Sequence, residues 1–439
     1  MTVNVIGAGL AGCEAAWQIS KRGINVRLYD MKPHKKSPAH KSDNFAELVC
    51  SNSLKAARFA SAAGMLKQEM RMLDSLLMHC ADKCTVPAGG ALAVDRDIFS
   101  SLVTEQIKNN SNIEIVESEI TDLNFDDITV IATGPLTSQP LSEKIKELFG
   151  GSLSFFDAAA PIVTAESIDM SRAFTASRYD KGGEDDYINC PMNKEEFERF
   201  EDALISAERA PLHDFDVSNP KVYEGCMPIE IMAQRGKGTI RFGPMKPVGL
   251  VDPNTGHRPW AVLQLRRENS GGTLYNLVGF QTNLKFPEQK RVFSMIPALE
   301  NADFVRYGVM HRNTFIDSPR VLCSDYSSKT NRRLFFAGQL TGVEGYMESA
   351  SSGLIAGINA ARLCKGLDTV TLPENTMIGA LSRYITDESV KKFQPMGANL
   401  GILPPLDEKI RDKRLKAEKH ANRSFESLNN FIVENRLDI

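Results

Sequence analysis

Near the start of the chain, three glycines have the spacing of a nucleotide-binding turn. A short, largely β-branched run over residues 3–6 leads directly into Gly7-Ala8-Gly9-Leu10-Ala11-Gly12, and residues at helical spacing follow. The first glycine of this pattern allows a tight turn, the second lets a pyrophosphate approach the backbone, and the third lets helix and strand pack closely. The helix N-terminus then offers free N–H groups and a positive dipole end to the phosphates.

An acidic residue follows at the distance that this chemistry requires. A second predicted strand over residues 24–29 ends at Asp30, about 20 residues after the turn, where a carboxylate can accept hydrogen bonds from ribose hydroxyls. A glycine-rich turn without a ligand is the alternative interpretation. The strand before the turn, the helix after it and the acid together favour dinucleotide binding.

Two later turns have a related form. A predicted strand over residues 128–131 ends in Thr133 and Gly134, where the chain can pass close to a bound nucleotide. A second apolar strand, starting at Leu334, runs into the turn that contains Gly338 and Gln339. The small residues that follow, from 350 to 361, predict a helix that packs closely against a flat surface of the protein.

These turns require supporting helices and strands, and the hydrophobic periodicity predicts them. Apolar residues at i, i+3, i+4 and i+7 predict a helix from Met65 to Leu77, and a second helix is predicted over residues 97–107. Residues 113–116 predict another strand. The charged stretch 406–432, which is basic at its start, predicts a solvated helix, with RNA contact as the alternative.

The length of 439 residues predicts two or three domains. Near residue 189 the sequence pattern changes. Asn193 and Glu196 predict a capping box at the start of a helix. The chain from 223 to 316 is strand-like with many Gly and Pro residues. We divide the chain into residues 1–188, residues 189–325 and residues 326–439. The first and last are two parts of one nucleotide-binding domain, the last with a helical tail, and the middle is a smaller inserted α+β domain.

Composition excludes several classes of protein. The first nine residues already belong to a strand and a glycine turn, which leaves no room for a signal peptide. No run of 18 apolar residues is present, so we expect no membrane span. Eight cysteines without a regular framework fit a reducing, cytoplasmic location.

The small net charge of −3 conceals a basic segment. Between residues 225 and 335 there are 16 Lys and Arg against 8 Asp and Glu. A basic segment in an acidic chain suggests an anionic partner, either nucleic acid or a multiply charged small molecule. A solvated basic face is an equally good explanation of the charge alone.

Several long motifs connect these features to a known family. They are Phe45-Ala46-Glu47-Leu48-Val49-Cys50-Ser51-Asn52-Ser53-Leu54, Val86-Pro87-Ala88-Gly89-Gly90-Ala91-Leu92-Ala93-Val94-Asp95-Arg96, Glu224-Gly225-Cys226-Met227-Pro228-Ile229-Glu230, Phe242-Gly243-Pro244-Met245-Lys246-Pro247-Val248-Gly249, Arg306-Tyr307-Gly308-Val309-Met310-His311-Arg312-Asn313-Thr314-Phe315 and Phe336-Ala337-Gly338-Gln339-Leu340-Thr341-Gly342-Val343-Glu344-Gly345-Tyr346. In this order they resemble the TrmFO family of folate- and FAD-dependent RNA uracil-C5 methyltransferases, over nearly the whole chain. Asp30 stands where the family usually has Glu, and the shorter acid can still reach a ribose.

The resemblance implies a fold and a reaction. The fold is α/β: a glutathione-reductase-like, FAD-binding Rossmann-type domain interrupted by a smaller α+β insertion domain. In the implied reaction, NADH or NADPH reduces FAD, and methylenetetrahydrofolate donates a one-carbon unit through flavin N5. The carbon reaches C5 of a uridine, usually in the T-loop of tRNA, and is reduced to a methyl group. Ribosomal RNA is the alternative substrate, and no obligatory protein partner is expected.

The chemistry of uracil requires a nucleophile. Uracil C5 reacts poorly until a group adds to C6, and a thiolate is suited to that reversible addition. Cys226 is the first candidate because it lies in the basic segment and in a family motif, and Cys50 is the second. The division of roles between them stays open, as does a structural role for either. A zinc site at Cys80 and Cys84 is disfavoured against core packing.

The resemblance extends to the remaining site residues. Residues Gly7 to Gly12, Asp30, Thr133, Gly134, Gly338 and Gln339 are expected to bind FAD. His311 is expected near folate, with a structural histidine as the alternative, and Glu344 is expected to bind the cofactor or to orient substrate. The basic residues that could contact folate or phosphate are Arg241, Lys246, Arg266 and Arg267.

Other functions fit parts of the sequence. A related FAD- and folate-dependent flavoprotein modifies the tRNA wobble uridine, but it has a larger C-terminal helical region. A flavin-bearing protein that binds RNA without chemistry, or an ordinary NAD(P)H oxidoreductase, would also explain the nucleotide-binding turns.

Overall fold

The computed structural model describes residues 2–37, 39–150, 153–180, 183, 186–211, 227–391 and 393–437. Its strands are β1 (Thr2–Ile6), β2 (Asn25–Asp30), β3 (Ser53–Ala56), β4 (Thr85–Val86), β5 (Ala91–Val94), β6 (Ile113–Glu117), β7 (Thr129–Ile131), β8 (Leu153–Ala158), β9 (Ile162–Thr164), β10 (Phe174–Thr175), β11 (Tyr187–Met192), β12 (Ala261–Arg267), β13 (Leu274–Leu277), β14 (Phe304–Arg306), β15 (Met310–Phe315) and β16 (Leu334–Phe336). Its α-helices are α1 (Leu10–Lys21), α2 (Ala62–Met72), α3 (Leu76–Asp82), α4 (Arg96–Lys108), α5 (Gln139–Phe149), α6 (Lys194–Ser206), α7 (Ile229–Gln234), α8 (Phe286–Phe293), α9 (Ser318–Val321), α10 (Tyr346–Cys364), α11 (Met377–Thr386) and α12 (Lys413–Asn435).

A five-stranded parallel sheet, in the order β16-β7-β1-β2-β6, forms the centre of the nucleotide-binding part. Val3 and Val5 pack on one face in a core shared with α1 and α10. Ile6 and Ile131 pack on the other face with Ile145 of α5. A parallel sheet covered on both faces is the Rossmann-type arrangement. The predicted α/β fold class is therefore confirmed.

Helices α1 and α10 pack closely because glycines remove side chains from their contact. A Cβ on Gly353 would lie 2.1 Å from the carbonyl oxygen of Ala11, and one on Gly357 would lie 2.7 Å from that of Ala15. The close packing predicted for residues 350–361 is confirmed, but the surface beneath this helix is largely another helix.

A second sheet is antiparallel throughout, in the order β10-β11-β12-β13-β9-β14. It has its own core, in which Phe197 and Phe200 of α6 pack with Phe280 and Phe293. The predicted capping box of α6 is present, with both Asn193–Glu196 hydrogen bonds. Helices α7 and α8 interrupt the stretch that the sequence predicted as strand-like. Strands β9 and β10 precede residue 189, and the domain boundaries at 188 and 325 stay a prediction.

The helix predicted from Met65 to Leu77 is divided in two. Asp74 adopts a left-handed conformation with φ of 55°, and the side chain of Ser75 accepts a hydrogen bond from Met78 N–H at the start of α3. Both residue types favour helix starts over helix interiors. The predicted C-terminal helix likewise begins later than residue 406, because Asp412 caps it through Arg414 and Leu415 N–H.

Within the described residues, no helix has both the length and the apolar character needed to span a membrane.

Candidate functional site

The carboxyl ends of four adjacent parallel strands bring the predicted nucleotide-binding residues to one edge of the sheet. Gly7 follows β1, Asp30 ends β2, Thr133 follows β7, and Gly338 follows β16. Gly7, Gly9, Asp30 and Thr133 line a single cavity at this edge. Ligands of open parallel sheets bind at this end of the strands.

The first and third positions of the turn require glycine because neighbouring backbone atoms lie where a Cβ would be. Gly7 has φ of 100°, and a Cβ there would lie 2.7 Å from Ala132 O. A Cβ on Gly12 would lie 1.7 Å from Gly7 O, so this position closes the contact between helix and turn.

The second glycine leaves open space for a ligand. Among the residues that the structure describes, a Cβ on Gly9 would meet no atom within 4 Å, and no side chain caps the N-terminus of α1. The first N–H groups of α1 therefore remain available to an anion, as a pyrophosphate requires. The residues present fit the phosphate end of a dinucleotide.

Asp30 holds the turn as well as facing the cavity. One carboxylate oxygen accepts a hydrogen bond of 2.7 Å from Ala8 N–H, and the other accepts one of 2.9 Å from Lys32 N–H. A carboxylate has about four acceptor positions, so these two bonds leave capacity for ribose hydroxyls.

Sequence reasoning missed several residues of the same cavity. Ser37, His40 and Glu47 lie in the loop after β2 and line the cavity. The Ser37 hydroxyl lies 2.6 Å from His40 Nδ1, and burial lowers the pKa of His40 below its ordinary value. The loop has no periodicity, so only the fold could identify these residues as neighbours of the glycine turn.

The turn after β16 is held by its own contacts. Gly338 has φ of 81° and donates its N–H to Ser352 Oγ at 2.7 Å. Gln339 donates through Nε2 to Glu344 at 2.6 Å, and Glu344 is only 7% exposed. The backbone of Thr314, in β15, donates to Pro135 O at 3.0 Å, next to the Thr133–Gly134 turn.

Cys50 lies in a loop held by a phenol and two guanidinium groups. Tyr346 Oη accepts hydrogen bonds from the N–H groups of Cys50 at 2.7 Å and Ser51 at 3.1 Å. Arg306 and Arg96 donate to the preceding carbonyl, Val49 O, at 2.7 and 3.4 Å. Arg306 and Tyr346 both lie close enough to Cys50 to interact electrostatically with it. Cationic neighbours favour a thiolate.

Arg266 joins the second sheet to this loop. Its guanidinium donates to Ser51 Oγ at 2.7 Å and to Asn52 Oδ1 at 2.9 Å. Arg266 is 7% exposed, and burial lowers its pKa. Of the basic residues that the sequence singled out, Arg266 contacts the Cys50 loop directly, whereas Arg241 stacks on Trp260, with its guanidinium carbon 3.8 Å from the ring centroid.

The side chains of two predicted site residues lie outside the described part of the structure. Cys226 lies outside the described residues. The backbone of His311 pairs with that of Asp157 between β15 and β8, while its side chain is not among those described.

Cys80 and Cys84 are buried in the hydrophobic core of the first sheet. Cys84 Sγ donates to Cys80 O at 3.2 Å, and burial raises their pKa values to about 11 and about 12. Among the described residues, no group of three or more His, Cys, Asp or Glu side chains is arranged to hold a metal ion.

Comparison with known proteins assigns the chain to a family. The model of the family described as glucose inhibited division protein A matches residues 2–368. A protein of Acetivibrio thermocellus named methylenetetrahydrofolate–tRNA-(uracil-5-)-methyltransferase TrmFO is 61% identical over 431 residues, covering 98% of each chain. A protein of the same name from Brevibacillus brevis is 59% identical and covers 99% of this chain and 98% of its own.

A solved structure supports the fold independently. GidA of Aquifex aeolicus, in its form II crystal, superimposes with a TM-score of 0.72 at 17% identity, covering 98% of this chain and 73% of that one. At this identity the likeness concerns the fold alone. The family match and the near full-length identities together show that the chain belongs to the TrmFO family.

Proposed function

We propose that this protein methylates C5 of a uridine in tRNA, with methylenetetrahydrofolate as carbon donor and FAD as bound cofactor. The observation that carries the proposal is the identity of 58–61%, over 98–99% of the chain, with proteins named for this activity. The sheet edge supports it, because its open glycine turn and acidic residue suit a dinucleotide.

The cofactor would lie along that edge. Residues Gly7 to Gly12 would face the pyrophosphate, Asp30 the ribose, and Thr133, Gly134, Gly338 and Gln339 the remainder of the molecule. When bound, FAD would supply the electrons that reduce the transferred carbon, and NADH or NADPH would replace them.

The chain's own cysteines would activate the uracil. The Cys226 thiolate adds to C6, which converts C5 into a nucleophilic enolate carbon. After C5 has bonded to the transferred carbon, a base removes the C5 proton, the C5–C6 double bond forms again and the thiolate leaves C6. Cys50, from the N-terminal part of the sequence, would also take part. Its loop is held in position by Tyr346 and Arg306. The positive charge of Arg306 beside this loop supports a reactive thiol there, whereas Arg96 is paired with Glu268 at 2.8 Å.

Folate would bind between the two sheets. His311 would stack on the pterin ring, and the neighbouring Arg312 would pair with a glutamate carboxylate of the folate tail. The backbone supports this position, because Thr314 of β15 donates to Pro135 O and Ile316, just after the strand, donates to Leu340 O, next to the two turns of the nucleotide site. Glu344, held by Gln339, would orient the cofactor or the substrate.

The test uses methylenetetrahydrofolate labelled in its methylene carbon, together with NADH or NADPH. Purified protein is incubated with unmodified tRNA and unmodified ribosomal RNA in separate reactions, and each RNA is digested and assayed for labelled 5-methyluridine. Label in tRNA is expected. Label in ribosomal RNA alone would change the substrate, and no label in either, with flavin bound, would refute the methyltransferase proposal.

The nucleophile is tested by a matched pair of variants. Cys226→Ala is expected to abolish labelling while tRNA binding persists. Cys364→Ala, at the half-buried end of α10, is expected to retain it. Full activity of Cys226→Ala would remove this residue from the mechanism.

A further inference from the structure

A large open cleft lies on the second sheet, apart from the nucleotide cavity. Its volume is about 1100 Å³, and it lies between the start of α6, the residues around Trp260 and the segment after α8. Of the described residues, neither those predicted for FAD nor Cys50 are among its lining, whereas Arg241, predicted to contact folate or phosphate, does line it.

The acidic side chains of the cleft are already engaged. Glu196 accepts the Asn193 N–H in the capping box at 2.7 Å. Asp252 is 7% exposed and accepts the Asn254 N–H at 2.9 Å. Glu300 pairs with Arg172 at 2.7 Å. These contacts hold the carboxylates in place but leave them charged. Among the described residues that line the cleft, five are Lys or Arg and three are Asp or Glu, an excess of two positive charges.

The basic side chains, in contrast, face the opening. Arg199 and Arg258 line the cleft and are exposed. Lys194 also lines it, and its ammonium lies 4.0 Å from the Glu198 carboxylate. The cleft therefore has a net positive charge, which suits a polyanion.

The aromatic ring of Trp260 lies among these cations. The Trp260 ring is 37% exposed, with the Arg241 guanidinium 3.8 Å and the Lys194 ammonium 5.6 Å from its centroid. Arg241 is fixed in place by donating through Nε to Trp260 O at 2.6 Å. Phe242 follows Arg241 in the chain, has the Arg241 guanidinium carbon 5.8 Å from its ring centroid, and is 80% exposed. Unpaired RNA bases stack on such aromatic rings and on guanidinium planes.

The cleft has a fixed distance from the Cys50 loop. Trp260 immediately precedes β12, and Arg266, near the other end of that strand, bonds to Ser51. Six residue steps along a strand span about 20 Å. If the uridine of an RNA lies at the Cys50 loop, the part of the RNA that lies in the cleft is therefore about 20 Å from that uridine.

We infer that the cleft around Trp260 is a docking surface for tRNA, which holds a part of the substrate remote from the methylated uridine. Trp260 and Phe242 stack on bases, and Lys194, Arg199 and Arg258 contact phosphates. This inference rests on the proposed function for the identity of the RNA. Its expected signature is a change in tRNA affinity and KM, with kcat preserved.

The test compares tRNA binding and methyl transfer in exposed variants of the full chain. Trp260→Ala is expected to raise the Kd for unmodified tRNA about 10-fold, and Trp260→Phe, which keeps a ring, is expected to stay close to wild type. The double variant Arg199→Gln/Arg258→Gln is expected to lower the slope of log Kd against log salt by about 1.5, since each lost phosphate contact removes about 0.7–0.9. Arg383→Gln, an exposed residue on α11, is the matched control and is expected to leave both quantities unchanged.

Flavin content and thermal unfolding, measured for every variant, verify that the fold is intact. If Trp260→Ala misfolds, the exposed double variant decides the result. Unchanged tRNA binding in correctly folded variants would overturn the docking surface, even if the wild type methylates tRNA. A wild type that binds tRNA without methylating it would refute the proposed function, while the same binding measurements still decide the role of the cleft.

Discussion

Tyr346→Phe tests whether the geometry of the Cys50 loop matters for the reaction. The substitution keeps the ring and removes only the hydroxyl oxygen that accepts the N–H groups of Cys50 and Ser51. It leaves the Arg306 and Arg96 bonds to Val49 O in place. The change is therefore confined to two hydrogen bonds of one loop.

The expected magnitude follows from those two bonds. Each hydrogen bond contributes about 1 kcal/mol net, so the loop loses about 2 kcal/mol of the free energy that holds it in its present conformation. If methyl transfer requires this conformation, a loss of 2 kcal/mol corresponds to a rate reduction of about 30-fold. FAD binding is expected to be little changed, because the hydroxyl does not belong to the cavity beside Asp30.

The assay is single-turnover transfer of labelled carbon to tRNA, together with urea unfolding. Tyr384→Phe is the control: its hydroxyl donates one hydrogen bond, to Gln394 O at 2.9 Å, and it is expected to keep the wild-type rate. A Tyr346→Phe enzyme with wild-type rate and wild-type stability would show that these bonds do not position the loop, and the reasoning would be wrong.

Three further predictions concern the nucleotide site and a buried acid. Gly12→Ala is expected to cost about 3 kcal/mol or more and to lose flavin, because its Cβ would lie 1.7 Å from Gly7 O; flavin absorbance after purification checks this, and full occupancy would contradict it. Asp30→Asn keeps an acceptor for Ala8 N–H but loses the charge, so FAD affinity is expected to fall about 10-fold in a fluorescence titration; an unchanged Kd would remove Asp30 from the ribose site. Burial raises the pKa of Glu69 from 4.5 to about 7, so the folded state binds more protons than the unfolded state between these values, and stability falls as pH rises through that window. The free energy of unfolding, measured with urea between pH 5 and 8, is expected to fall less steeply with pH for Glu69→Gln than for the wild type. Part of the pH dependence remains because burial also raises the pKa of Glu14 to about 7. An identical pH dependence in the two proteins would contradict the assignment.

Local patterns in the sequence determined the nucleotide edge. The glycine spacing from Gly7 to Gly12, the acid at Asp30 and the small residues from 350 to 361 each encode a contact between chain neighbours or between backbone surfaces of fixed geometry. A strand, a glycine turn and a helix can form only a few arrangements, so the pattern was sufficient to predict the Rossmann-type fold. The long motifs were sufficient to predict the family.

Tertiary structure alone decided the surroundings of Cys50 and the caps of two helices. Arg96, Arg266, Arg306 and Tyr346 lie between 46 and 296 positions away from Cys50 in the sequence, yet all four contact its loop. Glu69 lies in α2 and accepts N–H groups from Met377 and Ile378 at the start of α11, and Glu14 does the same for α3.

The charged residues in these contacts have no periodic signal, because a single buried polar group is placed by the topology of several elements rather than by its neighbours in sequence. The same limit applies to the cleft around Trp260. The sequence showed a basic segment, but only the fold brought Lys194 and Arg199 of α6 next to Arg241 and the Trp260 ring. Local spacing determines which elements form, whereas the close approach of distant elements decides which side chains share a site.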